Sequence, residues 1–111
     1  MDTELIKGTL SLLILSLLRR RAMYGYEIAA TVHDQTNGAF TWKEGSLYPC
    51  LHKLEIERMI EGKWEEKGSG RKRKFYHITP AGRAAHKAKS DSWKELVWAV
   101  NVILEAGHGK D

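Results

Sequence analysis

The 111-residue sequence predicts an α+β fold, mostly α: a winged helix-turn-helix with a C-terminal dimerisation helix. Three observations predict it. Helical patterns fill the chain before residue 60. Two short alternating segments follow, joined by Gly68-Ser69-Gly70 and carrying the basic block Arg71-Lys72-Arg73-Lys74. Thr79-Pro80 then opens one long helix, with Thr79 as N-cap and Pro80 at the first helical position. The expected division is 1–79 for the winged domain, including the N-terminal helix, and 80–111 for the terminal helix, the two forming one continuous structural unit.

The first helix is expected over Thr3 to Arg20. Leucine, isoleucine and serine fill it, and arginines close it, where the helix dipole favours positive charge. It is apolar nearly all round, so it needs cover on more than one side. A second helix is expected from about Tyr24 to Thr36, with Ile28, Ala29 and Val32 inward and Asn37-Gly38 as its stop. A third is expected from about Lys43 to Met59. Leu47, Cys50, Leu51 and Leu54 recur at steps of three and four, which makes one core stripe. Gly45, Tyr48, Pro49, His52 and Lys53 face the other way, and Pro49 lies early, where a missing N–H costs least. Ile56 also falls outward, and the pattern offers no reason for it.

Strands are expected over Lys63–Lys67, containing Trp64, and Lys72–Thr79. In the second, Tyr76 and Ile78 share one face, Phe75 and His77 the other. The glycine-flanked turn between them lacks the following helix of a phosphate loop and reads as a hairpin turn. The last helix is expected to run to about Glu105, with Gly107 ending it.

Net charge is +4 and the pI about 9.3, a moderate excess concentrated in the basic block. A lone cysteine, Cys50, excludes an intramolecular disulfide and favours a reducing, cytoplasmic location. It sits on the inner stripe and reads as a small buried apolar residue. The longest apolar stretch, Leu10 to Leu18, falls short of the ~20 residues a membrane helix needs. Asp2 and Glu4 stand where a signal peptide wants positive charge. His33, His52, His77, His86 and His108 are scattered without ligand spacing, so no metal is expected. No cofactor, catalytic residue or enzymatic activity is expected either, because no nucleophile–base pairing or nucleotide loop is evident.

The segments YGYEI (Tyr24 to Ile28), GSLYPCLHKLE (Gly45 to Glu55) and GRKRKFYHITPAG (Gly70 to Gly82) resemble the signature of PadR-family transcriptional regulators. They lie in the correct order, the resemblance covering roughly residues 5 to 83. The single terminal helix is similar to the branch of that family with a reduced C-terminal part. Phe75 stands where the family often has Tyr, and Arg58-Met59-Ile60 where it usually has Gly-Leu-Ile. The resemblance implies DNA binding, a twofold dimer and usually repression. It implies no particular effector.

On this reading the third helix enters the major groove, with Ser46, Tyr48, His52 and Lys53 placed to reach base edges and phosphates. Tyr48 offers a hydroxyl to phosphate while its ring packs on sugar; its plainer role is to cover the core beside Leu47. The wing adds Lys67, Arg71, Lys72, Arg73 and Lys74, of which alternation lets about half face DNA together. On the last helix Trp93, Leu96, Val97, Val100 and Leu104 form one apolar stripe, flanked by Trp98 and Val102. A lone helix after a complete small domain cannot bury both stripes, whereas a second copy of the chain can. The resemblance also implies that Trp93 lines a cavity at the dimer axis able to hold flat aromatic compounds; the alternative is plain packing in the dimer core. The expected function is therefore sequence-specific DNA binding by a homodimeric repressor, acting on a double-stranded operator and released by a planar aromatic effector. The competing expectation is a winged-helix adaptor that binds protein without specific DNA binding, against which the basic wing weighs.

Overall fold

A computed structural model describes residue 5 and residues 8–68 and 70–106. At its centre lies helix α1 (Leu10–Arg20), which packs against every other helix and against the sheet. Its nearly all-round apolar surface demands this: Ile14, Leu15, Leu17 and Leu18 are all buried. Thr3, its expected start, lies outside the described residues. Leu5 is helical, but Gly8 and Thr9 form a turn, so α1 starts only at Leu10. Arg19 and Arg20 close it as expected.

After α1 the chain becomes extended at Arg21 and makes a short strand, β1 (Met23–Tyr24), that the sequence reading lacks. Met23 pairs with Tyr76 and Tyr24 with Phe75, so the wing is anchored to the domain by a third strand. Tyr24 therefore precedes helix α2 (Gly25–Gln35) instead of opening it. Ile28 and Val32 are buried and Ala29 half-buried. Asn37 and Gly38 take positive φ, 52° and 79°, which stops the helix.

Helix α3 (Glu44–Ile56) buries Leu47, Leu51 and Leu54, with Cys50 half-buried beside them. It ends earlier than expected. The Met59 N–H bonds to the Leu54 carbonyl and the Arg58 N–H to the Glu55 carbonyl, a Schellman arrangement that reverses the chain at Arg58, φ 59°. That reversal lets strand β2 (Ile60–Glu66) begin at Ile60, ahead of the expected Lys63. β2 pairs antiparallel with β3 (Lys72–Ile78), from Ile60 opposite Ile78 to Glu66 opposite Lys72, giving the order β1-β3-β2. Gly68 and Gly70 both have positive φ in the connecting turn; Ser69 lies outside the described residues.

Phe75 and Tyr76, on opposite faces of β3, are both buried. Tyr76 belongs to the main core, whereas Phe75 is covered from outside by Tyr24, edge-on at 5.4 Å between ring centres. The largest fully buried side chains are Ile14, Leu15, Met23, Ile28, Leu51 and Ile60, each worth about 1.5–3 kcal/mol of burial. They come from α1, β1, α2, α3 and β2, so one core locks the winged domain together.

Helix α4 (Pro80–Ala106) opens as predicted, with the Gly82 N–H bonded to Thr79 Oγ1 at 3.0 Å. The Thr79 hydroxyl in turn donates to the Arg58 carbonyl at 2.7 Å, tying the start of α4 to the end of α3. Gly107, the expected stop, lies outside the described residues. The first turns of α4 pack on α1, where His86 is buried against Ser16. Beyond that it projects: Leu96, Trp98, Val100, Val102, Ile103 and Leu104 are all exposed. No described helix is long and apolar enough to cross a membrane.

Candidate nucleic-acid interface

Between the wing and α3 lies an open groove of about 390 Å³. Tyr48 reaches it from α3, and Arg71, Lys72, Arg73 and Lys74 reach it from the wing. Tyr48 leans over the first turn of α2. A Cβ on Gly25 would stand 2.6 Å from the Tyr48 hydroxyl, so glycine is what lets the ring lie there. The hydroxyl thus sits beside the N-terminus of α2.

The basic block is not uniform. Arg71 and Lys72 are exposed, whereas Arg73 and Lys74 are half-buried. The Arg73 guanidinium lies 4.7 Å from the centre of the Tyr24 ring. Lys74 Nζ donates to Glu55 on α3 at 3.1 Å. On the outer face of the wing Lys67 Nζ lies 4.4 Å from the Phe75 ring centre, and His77 is hydrogen-bonded to Glu65 across the strands. That bond holds the Glu65 carboxyl below its ordinary range.

Ser46, His52 and Lys53 are exposed along α3. Tyr48 and the wing residues converge on one groove, but Lys53 does not join them. It borders a separate concavity with Leu10, Pro49, Cys50 and Lys89. Cys50 is half-buried, and burial raises its thiol pKa, in keeping with a packing role.

Four groove aromatics are absent from the sequence-predicted set: Tyr24, Tyr26, Trp64 and Tyr76. Tyr26 and Trp64 are largely exposed, at 73% and 69%. The available signal was an aromatic residue set among charges in a strand, Lys63-Trp64-Glu65, which a core residue rarely shows.

On the opposite helix, Trp93 is 44% exposed and borders an apolar concavity of about 630 Å³ with Leu12, Leu13 and Phe40. Leu96, Val100 and Leu104 are exposed beyond it, and Val97 is half-buried.

A family model described as the transcriptional regulator PadR-like family matches residues 14–88, from α1 through the wing into α4. The chain belongs to the PadR-like family. Its fold is similar to that of a transcriptional regulator from Clostridium thermocellum, with a TM-score of 0.83, 31% identity, and coverage of 91% of this chain and 95% of that one. It is equally similar to a PadR-like transcriptional regulator from Bacillus cereus, with a TM-score of 0.82, 31% identity, and coverage of 97% and 100%. An uncharacterised protein of Lysinibacillus sphaericus is 33% identical over 103 residues, 93% of this chain and 94% of that one. The resemblance carried by the three motifs therefore holds, and this PadR-like chain is a DNA-binding transcriptional regulator of winged-helix fold.

Proposed function

We propose that two copies of this PadR-like regulator pair through α1 and α4 and repress transcription from a near-palindromic operator. The observation that carries this reading is the groove itself, where Tyr48 of α3 and the basic end of the wing open to solvent together. In the proposed complex each α3 enters a major groove. Ser46, Tyr48, His52 and Lys53 contact bases and phosphate, and the Arg71–Arg73 end of the wing grips the flanking backbone. Residues 1–79 read DNA and residues 80–111 pair the subunits, as one continuous unit in a cytoplasmic protein. The uncovered apolar row on α4 supports pairing, since exposed apolar surface of this extent marks an interaction site.

Duplex DNA from immediately upstream of the coding region tests the reading. The purified protein is expected to protect an inverted repeat whose half-sites lie about 34 Å, one helical turn, apart. Failure to prefer that repeat over shuffled duplex, together with no sequence recovered from a random library, would count against sequence-specific operator binding.

The concavity beside Trp93 supports a ligand site for a planar aromatic, which would gain apolar burial and stacking on indole. Such a ligand lowers operator affinity only by fitting the DNA-bound dimer less well than the free one. Titration with planar aromatics should quench tryptophan fluorescence, and Trp93→Ala should abolish both quenching and affinity. Survival of both in the variant would leave Trp93 a packing residue only.

A further inference from the structure

Lys74 does not extend freely from the wing. Its side chain runs diagonally over Gly62 on the neighbouring strand to reach Glu55 Oε1 on α3 at 3.1 Å. Both side chains are partly covered, at 33% and 25% exposure. Gly62 makes the path available: a Cβ there would overlap Lys74 Cε and lie 2.9 Å from Glu55 Oε2. Nζ also lies 5.4 Å from the centre of the Tyr76 ring, which belongs to the core. Three elements thus meet at one charge pair: the recognition helix, β2 and β3.

We propose that Glu55 and Lys74 are positioning residues for DNA reading, an ion pair that sets the wing against the recognition helix while Gly62 keeps its path open. The neighbouring charges divide the labour. Arg71 and Lys72 are exposed and free to meet phosphate, whereas the Lys74 charge is already matched by a carboxylate. Without Lys74, the Glu55 carboxylate would stand unmatched beside a groove that has to admit phosphates, and like charge repels there. With it, the carboxylate is neutralised and the angle between α3 and the wing is defined. Operator recognition needs that angle, because base contacts from α3 and backbone contacts from the wing have to be made at once. Loose binding to arbitrary DNA does not. The Glu55 hydrogen bond also raises the Lys74 pKa.

This inference rests on DNA reading by α3 and the wing. The test measures binding of the full chain to a duplex selected by the wild-type protein from a random library, and to a shuffled duplex, over a range of salt. Glu55→Gln is expected to weaken operator binding about three- to tenfold while leaving the shuffled duplex unweakened. Lys74→Gln should do the same, with a salt slope changed by much less than the one unit a phosphate contact gives. The double variant should bind no worse than Lys74→Gln alone. Gly62→Ala keeps both charges but blocks their path, and should reproduce the loss. Lys74→Gln weakening both duplexes alike, with the slope falling by about one unit and Glu55→Gln tightening both, would make Lys74 a phosphate contact and overturn the proposal. Thermal melts of the same variants without DNA supply a second measure: non-additive effects of Glu55→Gln and Lys74→Gln are expected, and strict additivity would overturn the pairing. A wild-type protein that selects no sequence would overturn the DNA reading instead, while the melts still decide the pair.

Discussion

Arg58 holds φ 59° at the end of α3, a conformation in which a Cβ crowds the backbone and glycine does not. The Schellman hydrogen bonds around it keep the chain there regardless. Arg58→Gly is therefore expected to raise stability by about 1 kcal/mol, measured by chemical denaturation. Gly-Leu-Ile, the usual family triplet at this place, has glycine where this chain has Arg58, so the resemblance offered the clue in advance. No pattern of hydrophobicity could, because a single backbone reversal has no period. His86 was similarly illegible. Its sequence neighbours say nothing of Ser16, seventy positions away, whose Oγ lies 2.7 Å from Nε2. Burial first, and then the Arg19 charge, lower the His86 pKa below its ordinary 6.5. The unfolded chain therefore binds this proton more readily than the folded one. The contribution of His86 to stability is complete above about pH 6.5 and is lost as pH falls through the lowered folded value. Melting temperature should fall on acidification from pH 7 to 5, and His86→Gln should flatten that fall relative to wild type.

At the scale of elements, the helices were legible because Leu47, Leu51 and Leu54 repeat with the helical period and bury together. The third strand was not. Met23-Tyr24 is two residues long, too short for any alternation, and only its pairing with Tyr76 and Phe75 reveals it. The candidate site was legible in its charges and in Tyr48. It was illegible in how those charges differ, since alternation along β3 says which face a residue takes but not what waits on that face. Arg73 finds the Tyr24 ring and Lys74 finds Glu55, leaving Arg71 and Lys72 exposed. Changing Arg71 and Lys72 to Ala should weaken binding to operator and shuffled duplex alike. The slope of log affinity against log salt should fall by up to about one unit per lost contact. An unchanged slope would remove the wing from the backbone contacts.

The whole molecule is longer than a compact chain of its size. Its radius of gyration is 16.5 Å and its long dimension 64 Å, against about 13 Å expected for a compact chain of this length. The 27-residue α4, about 40 Å long, accounts for the excess. Its stripe of Trp93, Leu96, Val97, Val100 and Leu104 was readable as unsatisfied by a single chain, and four of those five residues are exposed there. Replacing Leu96 and Val100 together with Glu should give monomers or insoluble protein, because charge buried in the proposed pair is costly. A soluble, stable dimer of that variant in sedimentation would move the contact elsewhere.

The bare half of α4 also bears on dosage. In the proposed pair the reading unit is assembled from two chains, so at low abundance its concentration grows as the square of the chain's own. Halving synthesis would then remove about three quarters of the DNA-binding species, by mass action alone. Promoter output would respond to the protein's supply more steeply than to any single subunit's affinity. The length of apolar helix left uncovered, through the dissociation constant it sets, would fix the abundance at which that steep response begins.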